Sequence, residues 1–144
     1  MNRTPYRRLV QYYETDRMGI VHHSNYIRWF EEARTDFLRN NGIVYSDLEQ
    51  SGVMLPVVNV SCRFRTPARY DEWIEITTTS TAYNGARLDF SYEVRNASGK
   101  LLATGTSEHC FMDAQRWVPI NMKRKQPEQH ARMAALLEEA GGMI

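Results

Sequence analysis

No apolar run in these 144 residues approaches the ~20 needed for a membrane-spanning helix, so an integral helical membrane protein is excluded. Met1 to Arg8 carries basic residues with no apolar stretch behind them, which is not a secretory signal. Cysteine is scarce. Cys62 and Cys110 stand in neither a metal nor a redox spacing. The expectation is two free thiols in a reducing cytoplasm, where small domains seldom keep a disulfide. An excess of one charge is missing as well: 18 basic residues face 17 acidic ones, for a net charge of +1. A nucleic-acid binder concentrates positive charge, so no nucleic-acid partner is expected. Repeats, low-complexity tracts and linkers are absent, and the length fits a single domain over residues 1–144.

What is present changes period along the chain. Arg7 to Tyr13 reads as a short strand running into a glycine turn. Ser24 or Asn25 is placed to cap a helix reaching about Asn40. Tyr26, Ile27, Phe30, Ala33, Phe37 and Leu38 form its apolar stripe, with Arg28, Glu31, Glu32 and Arg39 turned away. Asn40-Asn41-Gly42 stops it. A short helical turn is expected at Ser46 to Ser51.

From Val53 the pattern is that of strands. Val53 to Phe64 is β-rich and broken by Pro56, and Thr66 to Asp71 is a connection. Trp73 to Tyr83 follows, then Asn84-Gly85 as a hairpin turn. Leu88, Phe90, Tyr92 and Val94 alternate with Arg87, Asp89, Ser91 and Glu93, which predicts one buried and one wet face. After the turn at Ala97-Ser98-Gly99, Leu101 to Met112 is a last long strand. Gln126-Pro127 opens a helix through about Ala140, ended by Gly141-Gly142. The order predicts an α+β fold, a helix packed on an antiparallel sheet, whose open edge a second subunit would cover.

The densest chemistry lies between Tyr12 and Tyr26. Asp16 precedes Gly19, and His22 and His23 follow at the mouth of the helix. A carboxylate facing free N–H groups at a helix start suits attack on a carbonyl, because one group supplies the nucleophile and the other holds the oxyanion. The residues alone leave Asp16 two roles: a solvated aspartate bracing the turn, or a nucleophile or general base. Gly19 is a turn residue or a point of close substrate approach. Tyr12 reads equally as packing or as a site residue. Tyr26, Trp29, Phe30 and Phe37 read as core before acyl pocket. A metal is not expected, since adjacent histidines point about 100° apart on a helix and ligand pairs use i, i+4 spacing. His109 and Cys110 fall on opposite faces of a strand. Arg63, Arg65, Arg69, Arg87 and Lys123 to Lys125 are scattered cations, some of them placed to meet phosphates.

The motif Tyr-x-x-x-Asp-x-x-Gly-Ile-Val-x-His-x-x-Tyr, here Tyr12 to Tyr26, resembles that of the hotdog-fold acyl-CoA thioesterases of the 4-hydroxybenzoyl-CoA thioesterase-like family. Trp29 to Arg34 resembles the family's central helix, and Phe64 to Asp71 its Pro-Ala-Arg connection. The resemblance covers most of residues 6–120. It implies a long helix wrapped by a five-stranded antiparallel sheet, and subunits joined through their sheets as a homodimer or a dimer-of-dimers tetramer. It implies Asp16 as the catalytic carboxylate, the His23 amide as oxyanion donor, and the His23 and Tyr12 side chains as site residues. Gly19, Ile20, Val21, Asn25 and Tyr26 would border the substrate. The substrate would be a coenzyme A or acyl carrier protein thioester, with no separate cofactor and no metal. His22 replaces a frequent aromatic and Arg17-Met18 replace small residues, so the family's acyl specificity does not carry over. Other expectations for such a chain are hydration or dehydration of an acyl thioester, and a non-catalytic acyl-CoA-binding module.

Overall fold

The computed structural model describes residues 1–141. The chain begins with strand β1 (Tyr6–Leu9), which is shorter than the Arg7–Tyr13 expected. Pairing ends where Leu9 meets Trp73. The Glu14 carboxylate then accepts the Gln11 backbone N–H at 2.9 Å and winds Tyr12–Glu14 into a 3₁₀ turn. Helix α1 (Ser24–Asn40) and helix α2 (Tyr45–Gln50) follow. Next come β2 (Val53–Met54), β3 (Val57–Phe64), β4 (Trp73–Tyr83), β5 (Arg87–Asn96), β6 (Leu101–Cys110) and β7 (Met112–Asp113). Helices α3 (Met122–Lys125) and α4 (Pro127–Gly141) complete the described chain. The expected stop at Gly141-Gly142 lies partly outside the described residues.

Five strands form one antiparallel sheet in the order β1-β4-β5-β6-β3, the predicted hotdog arrangement. At its margin the expected break at Pro56 holds and the expected end of the last strand is corrected. The β-rich run from Val53 divides at Leu55-Pro56, and the last strand ends at Cys110. The leftover pieces β2 and β7 pair with each other in a separate two-stranded sheet. That pairing joins residues some sixty positions apart, which no local pattern encodes.

The core is the interface between α1 and the sheet. Tyr26, Trp29, Phe30, Ala33, Phe37 and Leu38 are buried against Ile74, Ile76, Leu88, Phe90, Tyr92 and Val94. Ile27, expected in the apolar stripe, is instead exposed, and Trp29 takes the buried position. Phe30 stacks flat on Tyr92 with ring centroids 4.4 Å apart. Gly105 of β6 makes that approach possible, because a Cβ there would run into the Phe30 ring and the Ser61 carbonyl. Helix α4 closes on β4, where the Tyr83 hydroxyl meets His130 Nδ1 at 2.6 Å. Cys62 and Cys110 are free, and burial pushes the Cys62 thiol up to about 11. No helix among the described residues is long and apolar enough to cross a membrane. Strand β3 is left as a sheet edge, with Val57, Val58 and Phe64 exposed along it.

Candidate active site

The loop between the 3₁₀ turn and α1 is closed by the backbone. The Asp16 N–H donates to the Ile20 carbonyl and the Gly19 N–H to the Asp16 carbonyl, each at 2.9 Å. Gly19 takes a φ of 78°, the left-handed conformation this turn requires. Asp16 is half-buried. Its Oδ1 accepts the Met18 backbone N–H at 2.8 Å, so the turn-bracing role is real. Its Oδ2 has no hydrogen-bond partner among the described residues. One carboxylate oxygen therefore orients the group and the other stays available.

The loop is anchored from behind. Glu14 is buried and accepts from Arg8 at 2.7 Å, from the Gln11 N–H at 2.9 Å and from the Trp29 indole N–H at 2.8 Å. Burial pushes the Glu14 carboxyl upward, but these three donors outweigh it and hold it below its ordinary value. Arg8 also pairs with Glu32 at 3.0 Å and lies over the Trp29 ring. Glu14 stands in no local pattern that sets it apart from a surface glutamate. The available signal was Trp29, whose buried N–H required an acceptor.

The entry to α1 differs from expectation. Neither Ser24 nor Asn25 is the cap. Nδ1 of His22 accepts the Ser24 backbone N–H at 3.1 Å and meets its hydroxyl at 2.8 Å. His22 stacks on His23 with centroids 4.2 Å apart. Asn25 is buried and donates to the Glu14 and His22 carbonyls, so it braces the loop rather than facing a substrate. The backbone N–H of His23 has no acceptor among the described residues. It is an open donor at the positive end of a 17-residue helix.

Asp16, Ile20, Val21, His23 and Tyr26 come together around one cavity of about 190 Å³. Met18, Phe64, Arg65, Thr66 and Pro67 complete its wall. Phe64 packs edge-on to Tyr26, with centroids 4.9 Å apart. The connection after β3 is tied in place by Val21 N–H to the Ala68 carbonyl at 2.9 Å, and Ala68 N–H to the Tyr26 hydroxyl at 3.4 Å. Arg69 reaches the Gly19 carbonyl at 3.5 Å. Gly19 shapes the rim without lining the cavity. Tyr12 is corrected: it is exposed beside Tyr70, outside the cavity, because the chain leaves the sheet before reaching it. Among the described residues no group of three His, Cys, Asp or Glu side chains is arranged to hold a metal ion.

An aspartate with one free oxygen, an open helix-start amide and an apolar wall together define a site for acyl-transfer chemistry. Residues 10–136 match the model of the thioesterase-like superfamily, and the chain belongs to that family. The family and the fold make this a thioester hydrolase of hotdog architecture. The chain is 37% identical over 121 residues to the putative acyl-CoA thioesterase YneP of Bacillus subtilis, covering 84% of this chain and 88% of that one. It is 36% identical to the acyl-CoA thioester hydrolase YbgC of Escherichia coli, over 71% of this chain and 78% of the other. Among solved structures, a DHNA-CoA thioesterase from Staphylococcus aureus superposes with a TM-score of 0.93 at 30% identity, over 100% of this chain and 97% of that one.

Proposed function

We propose that the protein hydrolyses an acyl-CoA thioester in the cavity beside Asp16. One observation carries this reading. Asp16 and His23 line the same small cavity, and among the described residues one Asp16 carboxylate oxygen and the His23 backbone N–H have no hydrogen-bond partner. The His23 amide takes the developing oxyanion. Asp16 either adds to the carbonyl carbon or removes a proton from an attacking water. In the first route the C–S bond breaks, the thiolate takes a proton from solvent, and water then opens the mixed anhydride. Both routes release free acid and thiol. Neither calls on a metal or a redox cofactor, since a thiolate leaves readily. The His23 side chain borders the carbonyl, Phe64 and Tyr26 pack on the acyl group, and Arg65 and Arg69 stand where phosphates of the carrier would enter. Tyr12 is left to the rim.

The active unit in this reading is a homodimer, alone or paired into a tetramer, working in the cytoplasm. The edge of β3, with its exposed Val57, Val58 and Phe64, supports sheet-to-sheet pairing of two copies. The test is thiol release from a panel of short-chain, long-chain and aromatic acyl-CoAs, comparing the wild type with Asp16→Asn. Release by the wild type that vanishes in the variant is expected. Undiminished release by a folded Asp16→Asn protein would overturn the assignment. Consumption of an enoyl thioester without thiol release would mark a hydratase, and binding without turnover a carrier module.

A further inference from the structure

A second cavity, about 280 Å³ and so larger than the one at Asp16, opens at the other end of β3. Glu31, Arg34, Thr35 and Leu38 line it from one face of α1, and Tyr45, Leu55, Pro56 and Val57 close it. Arg34 is half-buried there and pairs with no carboxylate among the described residues. Glu31, three positions away on the same wall and exposed, does not bridge to it. Arg34 is the one cation among the residues that line this cavity, so an anion entering it would meet a guanidinium not already taken by a carboxylate of the described residues.

A buried polar chain lies near Arg34. The Tyr92 hydroxyl meets Ser107 Oγ at 2.6 Å, and Ser107 Oγ meets His109 Nε2 at 2.7 Å. All three residues are at least 98% buried. The Arg34 guanidinium lies close enough to act on both Tyr92 and His109. Tyr92, Ser107 and His109 thus form one continuous hydrogen-bonded chain. The other ring nitrogen, Nδ1, lies near the Leu55 backbone and is buried with no hydrogen-bond partner among the described residues. Burial and the neighbouring Arg34 push the His109 imidazole down to about 4, so it remains a neutral acceptor. This is a costly arrangement for a core, and it holds the guanidinium from behind.

The position of the cavity supplies its use. The Asp16 cavity adjoins Phe64, at the end of β3, and the Arg34 cavity adjoins Val57, at its start. When two β3 edges pair antiparallel, the start of one strand meets the end of the other. We propose that Arg34 of the partner subunit binds a carboxylate at the far end of the acyl group whose thioester sits at Asp16, so that the enzyme prefers ω-carboxyl acyl thioesters. This rests on the thioesterase reading and its dimer. Arg34 is a specificity-determining residue, and the chain Tyr92–Ser107–His109 positions it.

The experiment measures kcat/KM for chain-matched pairs: succinyl- against butyryl-CoA, glutaryl- against valeryl-CoA, adipyl- against hexanoyl-CoA, and 4-carboxybenzoyl- against benzoyl-CoA. At least one carboxylated member should lead its neutral match by about tenfold or more. Arg34→Met should bring that ratio to about one, and Arg34→Lys should recover part of it, which a merely misfolded variant would not do. Mixing Asp16→Asn with Arg34→Met protein should restore turnover of the carboxylated substrate above the sum of the two, since one composite site is then intact. Neutral substrates preferred by the wild type, with a ratio unmoved in Arg34→Met, would overturn the inference and leave the thioesterase reading standing. A ratio that collapses without restoration on mixing would overturn the cross-subunit part. Absence of thiol release from every member, neutral or charged, would remove the thioesterase reading and this inference together.

Discussion

Glu14 and Asp16 lie two residues apart and meet opposite fates. Glu14 points inward, is sealed under the start of α1, and spends both carboxylate oxygens on Arg8, Gln11 and Trp29. Asp16 points to the cleft and spends one oxygen on its own turn. The same functional group is a structural pin in one place and the proposed reactive group in the other. The difference is the supply of donors. A carboxylate met by three donors is fixed and unavailable, whereas one met by a single backbone N–H is oriented and still free to react.

The comparison breaks most sharply at Asp16. Asp16→Asn keeps the hydrogen-bond acceptor for the Met18 N–H, so the loop should hold while thiol release falls about a thousandfold or more. Thermal melting within a degree or two of wild type would accompany that loss. Glu14→Gln should do the reverse. It leaves Arg8 without its buried partner and costs about 3 kcal/mol of folding stability, read by urea denaturation, with activity declining because the loop loosens. A Glu14→Gln protein as stable as wild type but inert would reverse the two assignments.

Acid sharpens the contrast next. His109 has its folded value pushed down to about 4 from an ordinary 6.5. Unfolding therefore takes up a proton between those limits. The stability present above pH 6.5 is lost as pH falls toward 4, up to about 3 kcal/mol. Glu14, also held low, adds stability above the ordinary carboxylate range that is lost as pH falls further. Melting temperatures followed from pH 7 to 3 should show both losses, and Glu14→Gln should remove the lower one. The smallest effect is expected at Gly19→Ala. A Cβ there meets open space, so only the left-handed φ is strained, at about 1 kcal/mol. A fall in kcat larger than the fall in stability would show that the turn aims Asp16.

Much of the frame was legible along the chain. The 3.6-residue stripe located α1, and the alternation from Leu88 to Val94 located β5 with its buried face. The Tyr12 to Tyr26 motif led to the family. What escaped was set by partners distant in sequence. Strand β1 ends early because Glu14 is held by Trp29, fifteen residues on. His23, not Ser24, is the N-cap of α1, and the His22 ring turns back to accept the Ser24 amide. Tyr12 left the site because the 3₁₀ turn carries it outward. Phe64 and Thr66 entered the cavity wall through a connection pinned by Ala68.

By itself the sequence determined the periods of the elements, the turn at Gly19, the balance of charge and the family. These are properties of neighbours along the chain, and short-range backbone and hydrophobic rules act at that range. Tertiary structure alone decided which carboxylate oxygen and which helix-start amide have no partner among the described residues, and that Arg34 lines a cavity there without a carboxylate beside it. Reactivity and recognition depend on burial and on the donors gathered around a group. Those donors come from elements that meet only when the sheet closes around α1.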